Sequence, residues 1–240
     1  MSLIEMDDVR AGYGSSPVLD GVSLSVEEGE TDALLGRRGA GKSTVLLCLA
    51  GFLKPWGGSI RFDGREVRTD DTRTLVGLGV ALVPQGRHGF PDLSVDQNLM
   101  VAAGSTRRGR AGSVRNREVV FELFPGLAVR SDHPAGRLPS GQQQMLAVAR
   151  AIMTSPRLLL VDEPSSGLDP TQSQELFRLT RRINAEGITV LMAEQSAGVL
   201  RHADRAIVLE DGRAQSVGPA RQIAEVDELR GASFGAPTAG

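Results

Sequence analysis

Gly36-Arg37-Arg38-Gly39-Ala40-Gly41-Lys42-Ser43 carries the pattern G-x-x-x-x-G-K-[ST] in full. Ala33 to Leu35 before it reads as a short strand. Lys42 to Leu53 after it reads as a helix that stops ahead of Pro55. Strand, glycine-rich turn and helix in that order are the setting in which this pattern binds phosphate. The glycines let backbone N–H groups turn inward, and the helix start adds partial positive charge. Lys42 is then placed to reach the outer phosphates of a nucleotide, and Ser43 to ligate Mg2+. Lysine occurs only as Lys42 and Lys54 among 27 basic residues, so its presence here is a specific signal.

A second segment has matching chemistry. Leu158-Leu159-Leu160-Val161-Asp162-Glu163 reads as a buried apolar strand ending in two acids. Functional groups of open α/β sheets gather at the carboxyl ends of strands. Asp162 is placed to hold Mg2+, directly or through water, and Glu163 to polarise an attacking water as general base.

Further strands are read at Ser59 to Phe62, Leu78 to Val83, Ile188 to Ala193 and Ala206 to Leu209. Their alternation with helix-like segments predicts an α/β core with a largely parallel sheet. From Pro91 to Met153 there is no strong strand signal. Asp96 to Ala103, Arg117 to Phe124 and Gln142 to Met153 read as helices, which predicts a helical subdomain inserted in the core. The small, polar stretch from Gly231 to Gly240 reads as a disordered tail.

The composition narrows the function classes. The chain has 240 residues, 40% of them hydrophobic and 23% charged, as in ordinary folded proteins. A net charge of −2 speaks against nucleic acid as a partner. Cys48 is the one cysteine, so no internal disulfide forms. No stretch reaches the roughly 18 to 20 apolar residues of a membrane helix, and Met1 to Arg10 lacks a signal-peptide core. The expected location is cytoplasmic.

The ordered set of motifs resembles the nucleotide-binding domains of ABC transporters over nearly the whole chain. The phosphate loop is followed by Val83-Pro84-Gln85, then Leu138-Pro139-Ser140-Gly141-Gln142 ahead of a helix, then Leu158 to Glu163 and Ser166-Gly167-Leu168-Asp169. The resemblance implies a single ATP-binding cassette over residues 1–230. A P-loop core with an antiparallel β-subdomain would take about 1–90 and 154–230, and a helical subdomain about 91–153. It implies ATP and Mg2+ as cofactors, with Gly36, Arg37, Arg38, Gly39, Ala40, Gly41, Lys42, Ser43 and Thr44 around the phosphates and Tyr13 stacked on the adenine. Ser43, Gln85 and Asp162 would hold Mg2+, with Glu163 as base. Gln85 would also touch the attacking water and signal to the membrane partner. Asp169 would lie at a dimer seam. Ser140, Gly141 and Gln142 would contact the γ-phosphate held by the opposite protomer. Implied partners are membrane-spanning permease subunits and a second ATPase subunit, identical or different, with the chain peripheral on the inner face of the cell membrane.

Pro84-Gln85-Gly86-Arg87, Phe90-Pro91, Gln142 to Ala147 and Glu194-Gln195 are similar to the subgroup serving branched-chain amino-acid and urea importers. There are departures from the family pattern. Pro139 replaces a serine, and so lacks a hydroxyl and an N–H. Gln195 replaces the switch histidine, and Arg38 stands where asparagine is common. Asp32 sits in the strand before the phosphate loop, where apolar residues are expected, and must be paired, exposed or neutralised there. Cys48 reads as core. His88, His133 and His202 lack metal spacing. Arg107, Arg108, Arg110, Arg115 and Arg117 read as a solvated loop. Besides an importer motor, two alternatives stand: a weakly active regulatory half, suggested by Pro139 and Gln195, and a non-transport ABC ATPase.

Overall fold

The computed structural model describes residues 1–67, 71–86, 89–104 and 109–230. The expected tail, together with Arg87, His88, Arg107 and Arg108, lies outside the described residues.

The chain opens with a hairpin of two twelve-residue strands, β1 (Ser2–Tyr13) and β2 (Ser16–Glu27). The reversal passes through Gly14 at φ +60°, a conformation that glycine adopts without strain. β3 (Thr31–Leu35) leads into α1 (Lys42–Leu49), and β4 (Gly57–Phe62) and β5 (Arg65–Glu66) follow. Next come α2 (Thr72–Gly77), β6 (Val80–Val83) and a helical block of α3 (Val95–Ala103), α4 (Gly109–Leu123), α5 (Pro125–Ala128) and α6 (Ser140–Ile152). The chain returns through β7 (Leu158–Asp162), α7 (Pro170–Ala185), β8 (Thr189–Glu194), β9 (Arg205–Glu210), β10 (Arg213–Pro219) and α8 (Ala220–Arg230).

Six strands form the central sheet in the order β10-β9-β3-β8-β7-β6, parallel except for β10. The remaining four form an antiparallel sheet, β2-β1-β4-β5. β3, β7 and β8 are buried along their whole length, as expected for strands covered on both faces. Successive side chains point to opposite faces. Leu35, Leu159, Val161 and Met192 therefore join the core under α3, α4, α6 and α7. Leu34, Leu158, Leu160 and Leu191 join the core under α1 and the antiparallel sheet. Arg157, at the head of β7, fastens the two sheets. It donates to Asp63 at 2.6 Å and Glu28 at 2.7 Å, and lies 5.2 Å from the Phe62 ring centroid.

The predicted fold class holds: a P-loop core with a mostly parallel sheet, an antiparallel sheet and an inserted helical block. Several boundaries differ from expectation. α1 ends at Leu49 rather than Leu53, because Gly51 turns left-handed at φ +73°. The N–H groups of Gly51 and Phe52 then bond back to Cys48 and Leu47, which closes the helix. The strand expected from Leu78 begins at Val80, since Leu78 caps α2. The basic run is not a loop where it is described: Arg110, Arg115 and Arg117 lie on α4. Arg117 pairs with Asp96 and lies 4.6 Å from the Phe121 ring centroid. Cys48 is buried, and burial pushes its thiol up to about 12.

Asp32 is 0% exposed, and neither carboxylate oxygen has a hydrogen-bond partner. It lies opposite Leu191 and Arg205 in the flanking strands. Burial raises its pKa to about 7 against the pull of Arg205, with Glu30, Asp204 and Glu27 raising it further. Of the three options open to a buried acid, this strand takes neutralisation. The unfolded carboxyl titrates near about 3.9. The folded chain therefore holds this proton more tightly, and the stability linked to it is complete below about pH 4 and is lost as pH rises to about 7. Asp32→Val should stabilise the chain, by little in acid and by on the order of 3 to 4 kcal/mol above about pH 7. Thermal melts of both proteins across that range check this, and a gain that does not grow with pH contradicts it.

Candidate active site

The parallel order β3-β8-β7-β6 sets four strand ends side by side. Beyond β3 lies the phosphate loop and beyond β6 lies Gln85. Asp162 and Glu163 stand at the end of β7, and Glu194 and Gln195 at the end of β8. Groups separated by up to 159 positions in sequence thus meet along one edge.

Gly39 and Gly41 of the loop have φ of +84° and +105°. A Cβ on Gly36 would lie 2.4 Å from the Leu209 carbonyl oxygen, so only glycine allows this approach of two backbones. The loop curls around Lys42, which is 3% exposed. Its Nζ donates to the carbonyls of Gly36 at 2.9 Å and Arg37 at 3.2 Å. The same ammonium lies 3.1 Å from Glu163 Oε1. Arg37, Arg38 and Gly39 are exposed, and Ala40 and Thr44 are buried. Tyr13 places its hydroxyl 3.4 Å from Thr44 Oγ1 while 51% of it stays exposed, an open ring beside the loop.

Glu163 has φ +43°, unusual for a residue with a Cβ. Its N–H donates to the Ala193 carbonyl at 2.9 Å. Gln85 Nε2 donates to one carboxylate oxygen at 2.9 Å, and Gln195 Nε2 to the other at 2.8 Å. Two amides from two different strand ends and one ammonium thus fix this carboxylate.

Asp162 is 7% exposed and accepts from the Ser43 hydroxyl, while its Oδ1 is buried without a partner. Burial raises its pKa foremost, and the neighbouring Glu163 charge adds to this. Ser43 and Lys42 oppose it. A hydroxyl beside an orphaned carboxylate oxygen is a hard-oxygen donor set, and such a set suits Mg2+. Gln85, the third expected ligand, donates to Glu163, the residue next to Asp162.

Ser140, Gly141 and Gln142 are not brought to this cluster. They start α6, and among the described residues none has a hydrogen bond or ion pair to the phosphate loop. Pro139 is the N-cap of α6 and supplies no side-chain cap. Pro139, Gly141 and Gln142 line a cavity of about 440 Å3 shared with Phe124 and Arg178, apart from the loop. Asp169 caps α7, accepting from the Gln172 N–H at 2.9 Å.

Sequence reading passed over Glu194 as a site residue. It is 2% exposed and accepts from the Ser165 N–H and hydroxyl, both at 2.8 Å. Burial raises its pKa, against these bonds. The available signal was an acid closing the otherwise apolar run Val190-Leu191-Met192-Ala193.

Residues 19–166 match the family model described as ABC transporter. The chain is similar to the high-affinity branched-chain amino acid transport ATP-binding protein BraG of Pseudomonas aeruginosa. The two are 42% identical over 212 residues, which span 88% of this chain and 90% of that one. Its fold is similar to that of MJ1267, an ATP-binding cassette of an ABC transporter (TM-score 0.86, 24% identity, 96% of this chain and 98% of that one). It is also similar to MJ0796, a bacterial ABC transporter cassette solved as a dimer (TM-score 0.78, 27% identity, 91% of this chain and 99% of that one).

Gly41 offers a direct test of the loop. A Cβ there would meet Leu19 Cδ2 at 2.8 Å in a left-handed backbone. Gly41→Ala should cost about 1 to 3 kcal/mol of stability or force the loop to change shape. Either way, titration with a fluorescent ATP analogue should show weakened binding. Unchanged melting and unchanged affinity together would show that the loop does not need this conformation.

Proposed function

Because the chain belongs to the ABC transporter family, as one of its ATP-binding, ATP-hydrolysing subunits, we propose that it drives a solute importer from the inner face of a cell membrane. The observation that carries the catalytic part is the Glu163 carboxylate, held by Lys42, Gln85 and Gln195 at the mouth of the phosphate loop. The similarity to BraG favours branched-chain amino acids or a related small polar solute. Among the described residues no helix is long and apolar enough to cross a membrane. In this reading permease subunits supply the solute path, residues 91–153 form the helical subdomain and the rest of 1–230 the core.

Lys42 and the inward-facing amides of Gly36 to Thr44 bind the phosphates, and Tyr13 takes the adenine on its open face. Ser43 and Asp162, joined by Gln85, would hold Mg2+, which would supply neutralisation of phosphate charge. An incoming γ-phosphate competes with Glu163 for Lys42. Displaced from that ammonium, the Glu163 carboxylate is free to accept a proton from water, and Gln85 and Gln195 keep it oriented. The phosphate loop and the α6 start are separate within one chain. In this reading a second cassette brings its Ser140, Gly141 and Gln142 to each nucleotide, and pairing of cassettes is supported by MJ0796, which is a dimer.

Two variants test the chemistry. Lys42→Ala should abolish ATP binding or weaken it severely. Glu163→Gln should keep binding, cut turnover to a small residual rate and trap an ATP-bound dimer, seen by size-exclusion chromatography. Parental turnover in Glu163→Gln sinks the assignment of the base.

Pro139 generates a further expectation. Pro139→Ser restores both a hydroxyl toward the partner's γ-phosphate and an N-cap for α6. It should raise steady-state ATP turnover of the assembled transporter by about tenfold and leave nucleotide affinity nearly unchanged. Turnover equal to the parent would mean that Ser140 already fills the role.

A further inference from the structure

We propose that Glu194 is a positioning residue for ATP hydrolysis: through Ser165 it clamps the turn that presents the Glu163 carboxylate to the phosphate loop. The proposal rests on Glu163 being the base.

Three consecutive residues at the end of β8 grip this turn. The Ala193 carbonyl accepts the Glu163 N–H at 2.9 Å. The Glu194 carboxylate accepts the Ser165 N–H and hydroxyl, one on each oxygen. The Gln195 amide donates to the Glu163 carboxylate at 2.8 Å. Glu194 also accepts the Gln195 N–H at 3.2 Å, which ties the gripping strand end to itself. Every contact uses Glu194 as an acceptor, which is the inventory of an ionised carboxylate.

The clamp answers a definite need. Glu163 sits at φ +43°, a backbone conformation that persists only where the surroundings over-determine it. Backbone bonding at Ala193 holds one side of the turn, and Glu194 holds the other two residues further on. A buried carboxylate is costly to place unless it is hydrogen-bonded. At 2% exposure, with three donors and no cation among its hydrogen-bond partners, Glu194 occupies a position where an apolar residue would pack in the sheet. Ser165 also leads directly into Ser166 to Asp169, so the clamp sets where α7 and its cap begin.

The test uses the full chain and its variants Glu194→Gln, Ser165→Ala, Glu163→Gln and Glu194→Gln with Glu163→Gln. Glu194→Gln keeps the shape but turns one acceptor into a donor facing the Gln195 N–H and the Ser165 hydroxyl. Turnover should fall about tenfold to a hundredfold, the usual weight of a charged hydrogen bond, while affinity for a fluorescent ATP analogue stays at the parental value. In the Glu163→Gln background the same change should leave the residual turnover where it is, because Glu194 acts through Glu163. Parental turnover in a folded Glu194→Gln overturns the proposal. So does an equal further fall in the Glu163→Gln background, or a loss of affinity that matches the loss of turnover. If Glu194→Gln does not fold, Ser165→Ala removes one contact and no buried charge, and it should show a smaller fall with the same split between turnover and affinity. Parental turnover in Glu163→Gln alone would overturn the underlying assignment of the base, separately from the clamp.

Discussion

The ion pair between Lys42 and Glu163 depends on a topological constraint, and the rest of the site follows from it. The two residues belong to strand ends that are not neighbours: the loop follows β3, Glu163 follows β7, and β8 lies between them. Only a parallel sheet brings all three carboxyl ends to one edge. The fully buried strands then leave their chain direction as the sole outlet for charge. Apolar side chains fill both faces, and polar groups collect where the strands run out. Gly36, Gln85, Glu163 and Gln195 are each within a few residues of such an end.

Three carboxyls in or next to this sheet are buried, and their partners separate their roles. Glu194 has three donors and stands as part of the structure. Asp162 has one donor and one orphaned oxygen, the arrangement on which the proposed Mg2+ site rests. Asp32 has none, and its proton serves in place of a partner. Burial raises all three, so the shift alone does not sort them. Geometry does. The same comparison explains why Asp32 remained without a role: it lies near the start of β3, far from the carboxyl edge, where the sheet gathers its chemistry.

Local signals were legible in the sequence and convergent ones were not. The phosphate loop and the strand ending in Asp162-Glu163 are continuous segments whose glycine, lysine and apolar runs state their conformation. The β1–β2 hairpin was not placed strand by strand, because its register breaks at several points and blurs the alternation. α7 carries Arg178, Arg181 and Arg182 and has a polar face that hides its buried Leu176, Phe177 and Leu179. α1 was read too long because Gly51 acts through its backbone angle, which composition does not reveal. That Gln85 and Gln195 bond to opposite oxygens of one carboxylate follows from sheet order alone. No spacing rule connects positions 85, 163 and 195.

The two arrangements of backbone N–H groups in the chain are matched to different surroundings. In the phosphate loop the carbonyls of Gly36 and Arg37 accept from Lys42, and the Ala40 N–H bonds back to Arg37. The N–H groups at the start of α6, on Ser140, Gly141 and Gln142, have no intrahelical partner, and Pro139 offers no side-chain cap. A helix end without capping partners is stable only in water or against an outside acceptor. An anion held by another copy's phosphate loop is such an acceptor, since it brings negative charge to a helix N-terminus. Proline at the N-cap would leave that end more dependent on the outside acceptor, because it offers no side-chain cap that competes for these amides. In the dimer we propose, the residue that removes a hydroxyl from the partner's nucleotide would also remove an internal substitute for it, so that closure of two cassettes and capping of α6 would be one event.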